Sequence, residues 1–357
     1  MIYYEQKEKK SLGFLAICVC LIVIIYILVN LINKIDYSFV NFENEVAPVT
    51  SDISNIIDIE NLINNSMYSI VGISKIEEKS TSSFSSREED ILGMCSGIVI
   101  SSNGYILTNR HVVGGMYSTC HVNLANGENY KAEVVWEDKN LDIAILKTNA
   151  IKLPSMSFAN CKNCVLGERV YLLSNYTGYE LQKTVEEGII SKIESTLKIK
   201  EKNEEYYVED IMKVNINIVE NNTGGAVINE NGELIGIVSS VNDVLIPISR
   251  INNVINKLLE DNKCDKIDLG IYGFGTEVIN YLNDDINLEH GVYIEKIEED
   301  SMLKNLIEEG EIITRVDGIE VRKMSDIKEY AYSKNIGETI IFSVIQDNLE
   351  KDVEIAL

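Results

Sequence analysis

The chain has 357 residues and carries 32 Lys and Arg against 56 Asp and Glu, a formal net charge of −24. This acidic excess argues against a nucleic-acid partner, because phosphate contacts need surplus Lys and Arg. The length suggests two or three domains at about 100–200 residues each, and a hydrophobic content of 45% is sufficient for packed cores.

A long apolar run lies near the N-terminus. From Leu12 to Ile32, 19 of 21 residues are hydrophobic and none is charged. About 20 apolar residues can cross the hydrocarbon core as a helix. A cleaved signal peptide would have a shorter apolar region and a small-residue cleavage site, and a soluble helix this apolar would need burial on all sides. We therefore expect a single transmembrane anchor.

The charges around this run predict its orientation. Three lysines lie within the ten residues before it, and one closely follows it. Because basic residues favour the cytoplasmic side, the N-terminus is expected inside and the rest of the chain outside the cell membrane. The predicted segments are a cytoplasmic tail (1–11), the anchor (12–32) and a linker (33–64).

Short apolar segments separated by Gly and Asn make up the next part of the chain. The Ser-rich and charged stretch 79–90 reads as an exposed, flexible loop. After it, short strands are joined by three Asn-Gly turns, at 103–104, 126–127 and 231–232. This pattern is typical of an all-β sandwich or barrel.

The spacing changes to helical at Ile248–Glu260, which predicts a helix that closes the β domain. Its expected apolar face consists of Ile251, Val254, Ile255, Leu258 and Leu259. From about residue 266 mixed strands and helices restart, and the remaining stretch suits one small domain. We predict domains at 65–262 and 263–357.

Three short segments contain the residue types of nucleophilic catalysis. His111 lies in ILTNRHVV, Asp142 in LDIAILK and Thr223 in VENNTGGAVI. An imidazole beside a hydroxyl acts as a general base, and a carboxylate fixes its tautomer. A Gly-rich turn lets backbone N–H groups point at the developing oxyanion. The order along the chain is therefore base, orienting carboxylate, nucleophile.

These segments resemble the HtrA (Do/Deg-type) serine proteases. The likeness covers roughly residues 65–357 and includes SGIVISSNGYILTNRHVV, LDIAILK, TVEEGIISKI and NGELIGIVSS. It implies a mainly β chain: a trypsin-like double β-barrel followed by an α/β PDZ domain, after the N-terminal transmembrane helix. It further implies His111 as general base and Asp142 as its orienting carboxylate, with no metal or organic cofactor.

The nucleophile segment departs from the family pattern. Where the family has G-N-S-G-G, this chain has Asn221-Asn222-Thr223-Gly224-Gly225. Thr223 keeps a hydroxyl, but its methyl group restricts χ1 and crowds the approach of a carbonyl. Asn221 replaces the Gly whose N–H, with that of Thr223, would form the oxyanion hole. Asn215 stands where the family has an Asp.

Two functions remain open on these residues. The first is a membrane-anchored endopeptidase that cleaves unfolded or misfolded proteins outside the cytoplasm. The second is an inactive pseudoprotease that binds polypeptides as a chaperone or scaffold. Intact His111 and Asp142 favour the enzyme, whereas the changes at Asn215, Asn221 and Thr223 favour the second function.

The C-terminal module resembles the family's PDZ domain. The resemblance implies that Leu269, Gly270 and Ile271 form the loop that holds a peptide's C-terminal carboxylate, while the peptide adds as a strand. Asp268 stands where the family more often has an aromatic or basic residue. The implied partners are unfolded polypeptides, peptide C-termini and the membrane, and the family often forms homotrimers.

Seven cysteines complete the candidate residues. Cys95 and Cys120 flank the His111 segment, and trypsin-like folds often place a disulfide across it, so the resemblance implies a pair there. Cys161 and Cys164 form a C-x-x-C without the second pair or the His of a zinc site. A thioredoxin-like motif would need a βαβ context. A local disulfide and two free thiols both remain open.

Overall fold

The computed structural model describes residues 59–78, 89–175, 183–201, 204–219, 222–239, 244–265, 267–275, 278, 290–346 and 349–357. The predicted anchor at 12–32 lies outside these residues. Within them, no helix has the length and apolar character needed to span a membrane.

Two closed six-stranded barrels confirm the mainly β fold. The first has the strand order β1-β2-β3-β6-β5-β4. All its neighbouring strands run antiparallel, and Gly104 and Gly127 adopt positive φ at the two predicted Asn-Gly turns. Its strands are β1 (Ile70–Glu78), β2 (Glu89–Ser101), β3 (Tyr105–Asn109), β4 (Thr119–Asn123), β5 (Asn129–Asp138) and β6 (Ile143–Thr148).

The second barrel has the order β10-β11-β12-β9-β8-β7. Its β8 and β9 form a long antiparallel hairpin, with three shifts of register between Ile190 and Leu197. The strands are β7 (Arg169–Asn175), β8 (Lys183–Glu201), β9 (Glu204–Val214), β10 (Ala226–Asn229), β11 (Leu234–Val238) and β12 (Val244–Pro247).

The helix predicted at 248–260 forms in two parts. A 3₁₀-helix (Ile248–Ile251) leads into the α-helix Asn252–Asp261. Four of the five predicted apolar residues are buried, but Leu259 is 38% exposed. The remaining four join a hydrophobic cluster that spans both barrels, so this helix covers the junction between them.

A helix also forms where the linker was expected. We label it α1 (Ile59–Ser66), and it packs Ile59, Leu62 and Ile63 against the cluster that spans both barrels. Apolar residues at i, i+3 and i+4 put one face of the helix against the core. Residues 59–64 of the predicted linker therefore belong to a helix that packs on the barrels. In the predicted loop 79–90, Glu89 and Asp90 belong to β2, and 79–88 lie outside the described residues.

The remaining helices are α2 (Arg110–Val113), α3 (Asn252–Asp261, above) and α4 (Met324–Ser333). The C-terminal domain is a sheet of order β13-β14-β15-β17-β18, with β16 paired to β15. It has its own hydrophobic core, against which α4 packs. Its strands are β13 (Ile271–Gly275), β14 (Val292–Ile297), β15 (Ile312–Val316), β16 (Ile319–Glu320), β17 (Thr339–Gln346) and β18 (Leu349–Ala356).

Buried polar contacts fix this domain to β9 of the second barrel. The Glu209 carboxylate accepts hydrogen bonds from the N–H groups of Gly275 at 2.7 Å and Met324 at 2.6 Å. Lys323 Nζ donates to Asp210 at 2.7 Å. Burial raises the pKa of Glu209, and the hydrogen bonds from the two N–H groups oppose this shift without cancelling it.

The structure contradicts the predicted disulfide between Cys95 and Cys120, since both are free thiols. Cys95 pairs with Ile73 of β1, and Cys120 lies on β4, which pairs along the other side of β1. Two strand spacings and an offset of two residues along β4 separate their Cα atoms by roughly 11–12 Å, beyond the reach of a disulfide. Cys95 Sγ instead makes a 3.2 Å hydrogen bond with Thr108 Oγ1.

Candidate active site

His111 lies on the single turn of helix α2, directly after strand β3. The turn is held by Asp142: the Arg110 N–H donates to the Asp142 carbonyl at 3.0 Å, and Asn109 Nδ2 donates to the same oxygen at 3.1 Å. Asn109 is fully buried. The position of His111 is therefore set by the segment that carries its carboxylate partner.

The carboxylate of Asp142 engages His111 with both oxygens. Oδ1 accepts the His111 backbone N–H at 2.8 Å, and Oδ2 lies 2.6 Å from ring Nδ1. With Nδ1–H donating to this carboxylate, Nε2 is the nitrogen left to accept a proton. Asp142 has φ +55°, a conformation that non-Gly residues rarely adopt and that clusters at functional sites.

The turn before Asp142 is fixed by a second buried carboxylate. Asp138 Oδ1 accepts the N–H groups of Asn140 at 2.8 Å and Leu141 at 3.0 Å, and the Tyr332 hydroxyl donates to Oδ2 at 2.6 Å. Burial alone would raise the pKa of Asp138. The charge of Lys328 and the hydrogen bonds from these donors outweigh burial, so the pKa is lowered overall. Helix α4 of the C-terminal domain thus supports the turn that carries Asp142.

Thr223 lies on a tight turn of the second barrel that docks on the first. Its carbonyl accepts the Ser96 N–H at 2.9 Å, and the Ser96 carbonyl accepts Thr108 Oγ1 at 2.9 Å on β3. Gly224 has φ +75°, and a Cβ there would lie 2.0 Å from the Ser96 carbonyl oxygen. Only Gly permits this close approach, which brings the Thr223 turn onto β2, the strand that pairs with β3 ahead of His111.

The Thr223 hydroxyl does not complete the site. Thr223 is 2% exposed, and its Oγ1 has no hydrogen-bond partner among the described residues, His111 included. Asn221, the other predicted oxyanion residue, lies outside the described residues. Asn215 has a structural contact, since its Oδ1 accepts the Ile189 N–H at 2.7 Å. The structure therefore pairs His111 with Asp142, and the Thr223 hydroxyl makes no hydrogen bond among the described residues.

The predicted carboxylate-binding loop faces a cavity of about 130 Å³. The cavity is lined by Leu269, Gly270 and Ile271, by Lys328 of α4 and by the Glu137–Asn140 turn of the first barrel. The Gly270 N–H already donates to Asp268 Oδ1 at 3.1 Å. An incoming carboxylate would have to displace the side chain of Asp268 from this N–H.

Asp138, Tyr332 and Asn222 support the site but were not singled out in the sequence. Asn222 Oδ1 accepts the Val219 N–H at 3.0 Å, and its Nδ2 donates to Ser174 at 3.2 Å. In the sequence, only the position of Asn222 inside the G-N-S-G-G-like segment indicated that it could support the site. Among the residues that the structure describes, no group of His, Cys, Asp or Glu is arranged to hold a metal ion.

Two family models match the chain over these features. One, described as a trypsin-like peptidase domain, covers residues 95–237, which include His111, Asp142 and Thr223. The other, described as a PDZ domain, covers residues 247–357 and the cavity loop.

Serine proteases are among the proteins that are similar in sequence to this chain. The serine protease Do-like HtrA of Lactobacillus helveticus is 29% identical over 284 residues, which cover 73% of this chain and 68% of that protein. The Do-like HtrB of Bacillus subtilis is 26% identical over 333 residues, or 86% and 72% of the two chains. An HtrA-like protease of Staphylococcus aureus is 25% identical over 92% of this chain, which spans only 44% of that protein's length.

Solved structures show the same fold. The HtrA-type protease AlgW with a tripeptide superposes with a TM-score of 0.60 at 21% identity, over 84% of this chain and 96% of its own. A serine endoprotease from Yersinia pestis has a TM-score of 0.53 at 22% identity, over 85% and 98% of the two chains. At this level of identity the likeness establishes the fold.

Proposed function

Since the chain belongs to the HtrA-type family of trypsin-like serine endopeptidases, which are hydrolases, we propose that it cleaves polypeptides with Thr223 as nucleophile. His111 takes the hydroxyl proton and later returns it to the leaving amine, while Asp142 holds the imidazole in the required tautomer. The N–H groups of Asn221 and Thr223 hold the oxyanion in this proposal.

The observation that carries the proposal is the hydrogen bonding of His111 to Asp142. Both carboxylate oxygens are engaged, at 2.8 Å to the backbone N–H and 2.6 Å to Nδ1. The His111 side chain is 43% exposed, so His111 is not a core packing residue, and packing does not explain why both carboxylate oxygens contact it. The arrangement supports a base that is oriented before substrate arrives.

The proposed substrates are unfolded or misfolded polypeptides outside the cytoplasm. The C-terminal domain would bind peptide C-termini at the cavity beside Gly270, by analogy with the protease AlgW, which was solved with a tripeptide. Displacement of the Asp268 carboxylate from the Gly270 N–H would accompany binding, which predicts weak affinity. The single-pass anchor at 12–32 and a homotrimeric assembly complete the proposal.

A pseudoprotease that binds polypeptides is the second candidate. The observation in its favour is the Thr223 hydroxyl, which is buried and has no hydrogen-bond partner among the described residues. Catalysis requires this oxygen to reach His111 and the substrate carbonyl. Apo sites often have long catalytic contacts that tighten only with substrate, and on this ground we prefer the enzyme.

Cleavage of an unfolded protein distinguishes the two candidates. Residues 33–357 are incubated with a reduced, denatured protein, beside the His111→Ala variant. The enzyme predicts fragments that accumulate slowly and disappear with His111→Ala. Equal rates in both samples would leave only the binding function.

A further inference from the structure

The C-x-x-C segment is independent of the proposed active site. It lies between the last strand of the first barrel and the first strand of the second. Cys161 begins a single 3₁₀ turn (Cys161–Asn163), and the Cys164 N–H donates to the Cys161 carbonyl at 3.3 Å. Asn160 caps this turn by accepting the Lys162 N–H at 3.2 Å.

The turn places both sulfur atoms on one side. A 3₁₀ turn has three residues and eclipses positions i and i+3, and its rise separates their Cα atoms by about 6 Å. A disulfide requires 4.4–6.8 Å between Cα atoms. The Cys161 thiol donates to the Ile235 carbonyl at 3.2 Å and lies close enough to the Cys164 thiol for the two groups to affect each other's pKa. A bond between them therefore needs only side-chain rotation, with no movement of either barrel.

The two thiols differ in access and environment. Cys161 is half-buried, whereas Cys164 is buried. Hydrogen bonds from the Cys164 thiol, and then from the N–H and hydroxyl of Ser249 and the N–H of Ile248, lower the pKa of Cys161 to about 6 despite burial. The same shared bond, burial and the charge of Glu168 raise the pKa of Cys164. Lys162 lies exposed on the turn.

This asymmetry is the one that thiol–disulfide exchange requires. The attacking sulfur must be an accessible thiolate, and a second thiol must wait beside it to resolve the mixed disulfide. The other described cysteines lack both properties. Burial raises the pKa of Cys95 and Cys120 to about 12 and that of Cys264 to about 11.

We propose that Cys161 and Cys164 form a reversible redox site that exchanges with low-molecular-weight disulfides. The Cys161 thiolate attacks a disulfide RSSR, a Cys161–S–S–R bond forms, and RS⁻ leaves and takes a proton from water. Cys164 then loses its proton to water and attacks Sγ of Cys161. The Cys161–Cys164 bond forms and the second RS⁻ leaves. Two protein thiols are oxidised, and one RSSR is reduced to two RSH.

The first test measures the reactivity of each cysteine in the reduced full-length chain. The protein is pulse-labelled with iodoacetamide between pH 5 and 9, and peptide mapping quantifies every cysteine separately. Cys161 should label with a midpoint near pH 6, while Cys95, Cys120 and Cys264 in the same sample stay unlabelled. A Cys161 midpoint near the ordinary thiol value of about 8.5 would overturn the proposal, as would labelling no faster than at the three buried thiols.

The second test follows exchange with oxidised glutathione. In the unaltered chain, the peptides that contain Cys161 and Cys164 should lose two hydrogens as their disulfide closes, and reduced glutathione should reverse the change. Cys164→Ser should stop at a glutathione adduct on Cys161, and Cys161→Ser should give neither product. The proposal is wrong if the unaltered chain forms no Cys161–Cys164 disulfide, or if Cys161→Ser forms as much adduct as Cys164→Ser.

Discussion

The two barrels contribute very different halves to the candidate active site. In the first, the Asp142 carbonyl accepts the Arg110 N–H, and both Asp142 carboxylate oxygens contact His111. In the second, the Thr223 turn is equally well hydrogen-bonded through its backbone, but the reactive oxygen has no partner among the described residues. The proposed base is therefore oriented in advance, while the hydroxyl of the proposed nucleophile has no comparable hydrogen bond among the described residues.

We expect the side chain at position 223, Thr in place of the family's Ser, to underlie this contrast. The backbone of the turn follows the constraints of Gly224 and Ser96, which do not depend on the side chain at 223. The γ-methyl of Thr adds stiffness at χ1 and must be accommodated inside a site that leaves Thr223 only 2% exposed. The difference teaches that an intact turn is not enough to align its hydroxyl.

The largest expected effect on cleavage comes from changing the His111–Asp142 pair of the first barrel. Asp142→Asn should lower kcat for peptide cleavage by roughly 10⁴-fold, because the amide stabilises the wrong His111 tautomer. Cleavage of an unfolded protein measures the loss, and Asp300→Asn, at an exposed position, is the matched control. A loss of less than about tenfold would mean that the first half does not act as a base and its orienting group.

Thr223→Ser tests the other half of the comparison. Removing the methyl group should raise the cleavage rate by about a hundredfold, the order of magnitude associated with a misplacement of about 1 Å. Thr119→Ser, at an exposed position, should leave the rate unchanged. An unchanged rate in Thr223→Ser would show that the defect lies elsewhere in the nucleophile segment, such as Asn221.

A stability measurement can test how much the contact between Tyr332 of the C-terminal domain and Asp138 of the first barrel contributes. Tyr332→Phe keeps the ring beside Trp136 but removes the 2.6 Å bond to Asp138. It should lower the free energy of unfolding in urea by about 1.5–3 kcal/mol, the range for a hydrogen bond to a charged group. Tyr330→Phe, which loses a more exposed bond to Asp317, should cost less. Equal losses would argue against a special role for the Asp138 contact.

The smallest expected effect is a pH dependence of the free energy of unfolding, caused by Glu329 of α4 beside Arg250. Burial outweighs the charge of Arg250 and raises the pKa of Glu329 to about 7. The folded chain therefore keeps this proton to a higher pH than the unfolded chain, so the contribution to stability is complete below about pH 4.3 and is lost as pH rises through 7. Because the side chain is 32% exposed, we expect a loss of only about 1 kcal/mol.

Glu329→Gln isolates this contribution. Glu209, whose pKa is also raised, is present in both proteins, so its effect cancels in the comparison. Asp138, whose pKa is lowered, loses its contribution at more acidic pH. The free energy of unfolding should fall less between pH 4.5 and 7 in the variant than in the unaltered chain. Parallel curves would contradict the role assigned to Glu329.

The sequence predicted what depends on local pattern. The three Asn-Gly turns, the closing helix and the pairing of His111 with Asp142 follow from residue type and motif order. Long-range placement was missed. That β1 separates Cys95 from Cys120, and that Tyr332 reaches Asp138 across 194 positions, depends on strand order and domain docking. Periodicity does not encode either one.

Helix α1 shows a second limit of sequence reading. Its three core-facing residues lie in a short polar stretch, and a helix of eight residues gains its stability from packing rather than from its own propensity. Without the barrels as context, the stretch resembles a linker.

The Thr223 hydroxyl shows a third limit, because the motif identified the position but not the direction of the side chain.

Covalent trapping shows directly whether His111 activates the hydroxyl at position 223. A fluorophosphonate that modifies the activated hydroxyl of serine hydrolases is incubated with the purified chain, and mass spectrometry locates the adduct. The account predicts slow modification at Thr223, faster modification in Thr223→Ser and none in His111→Ala. No adduct at residue 223 in either the unaltered chain or Thr223→Ser, or equal labelling in His111→Ala, would contradict it.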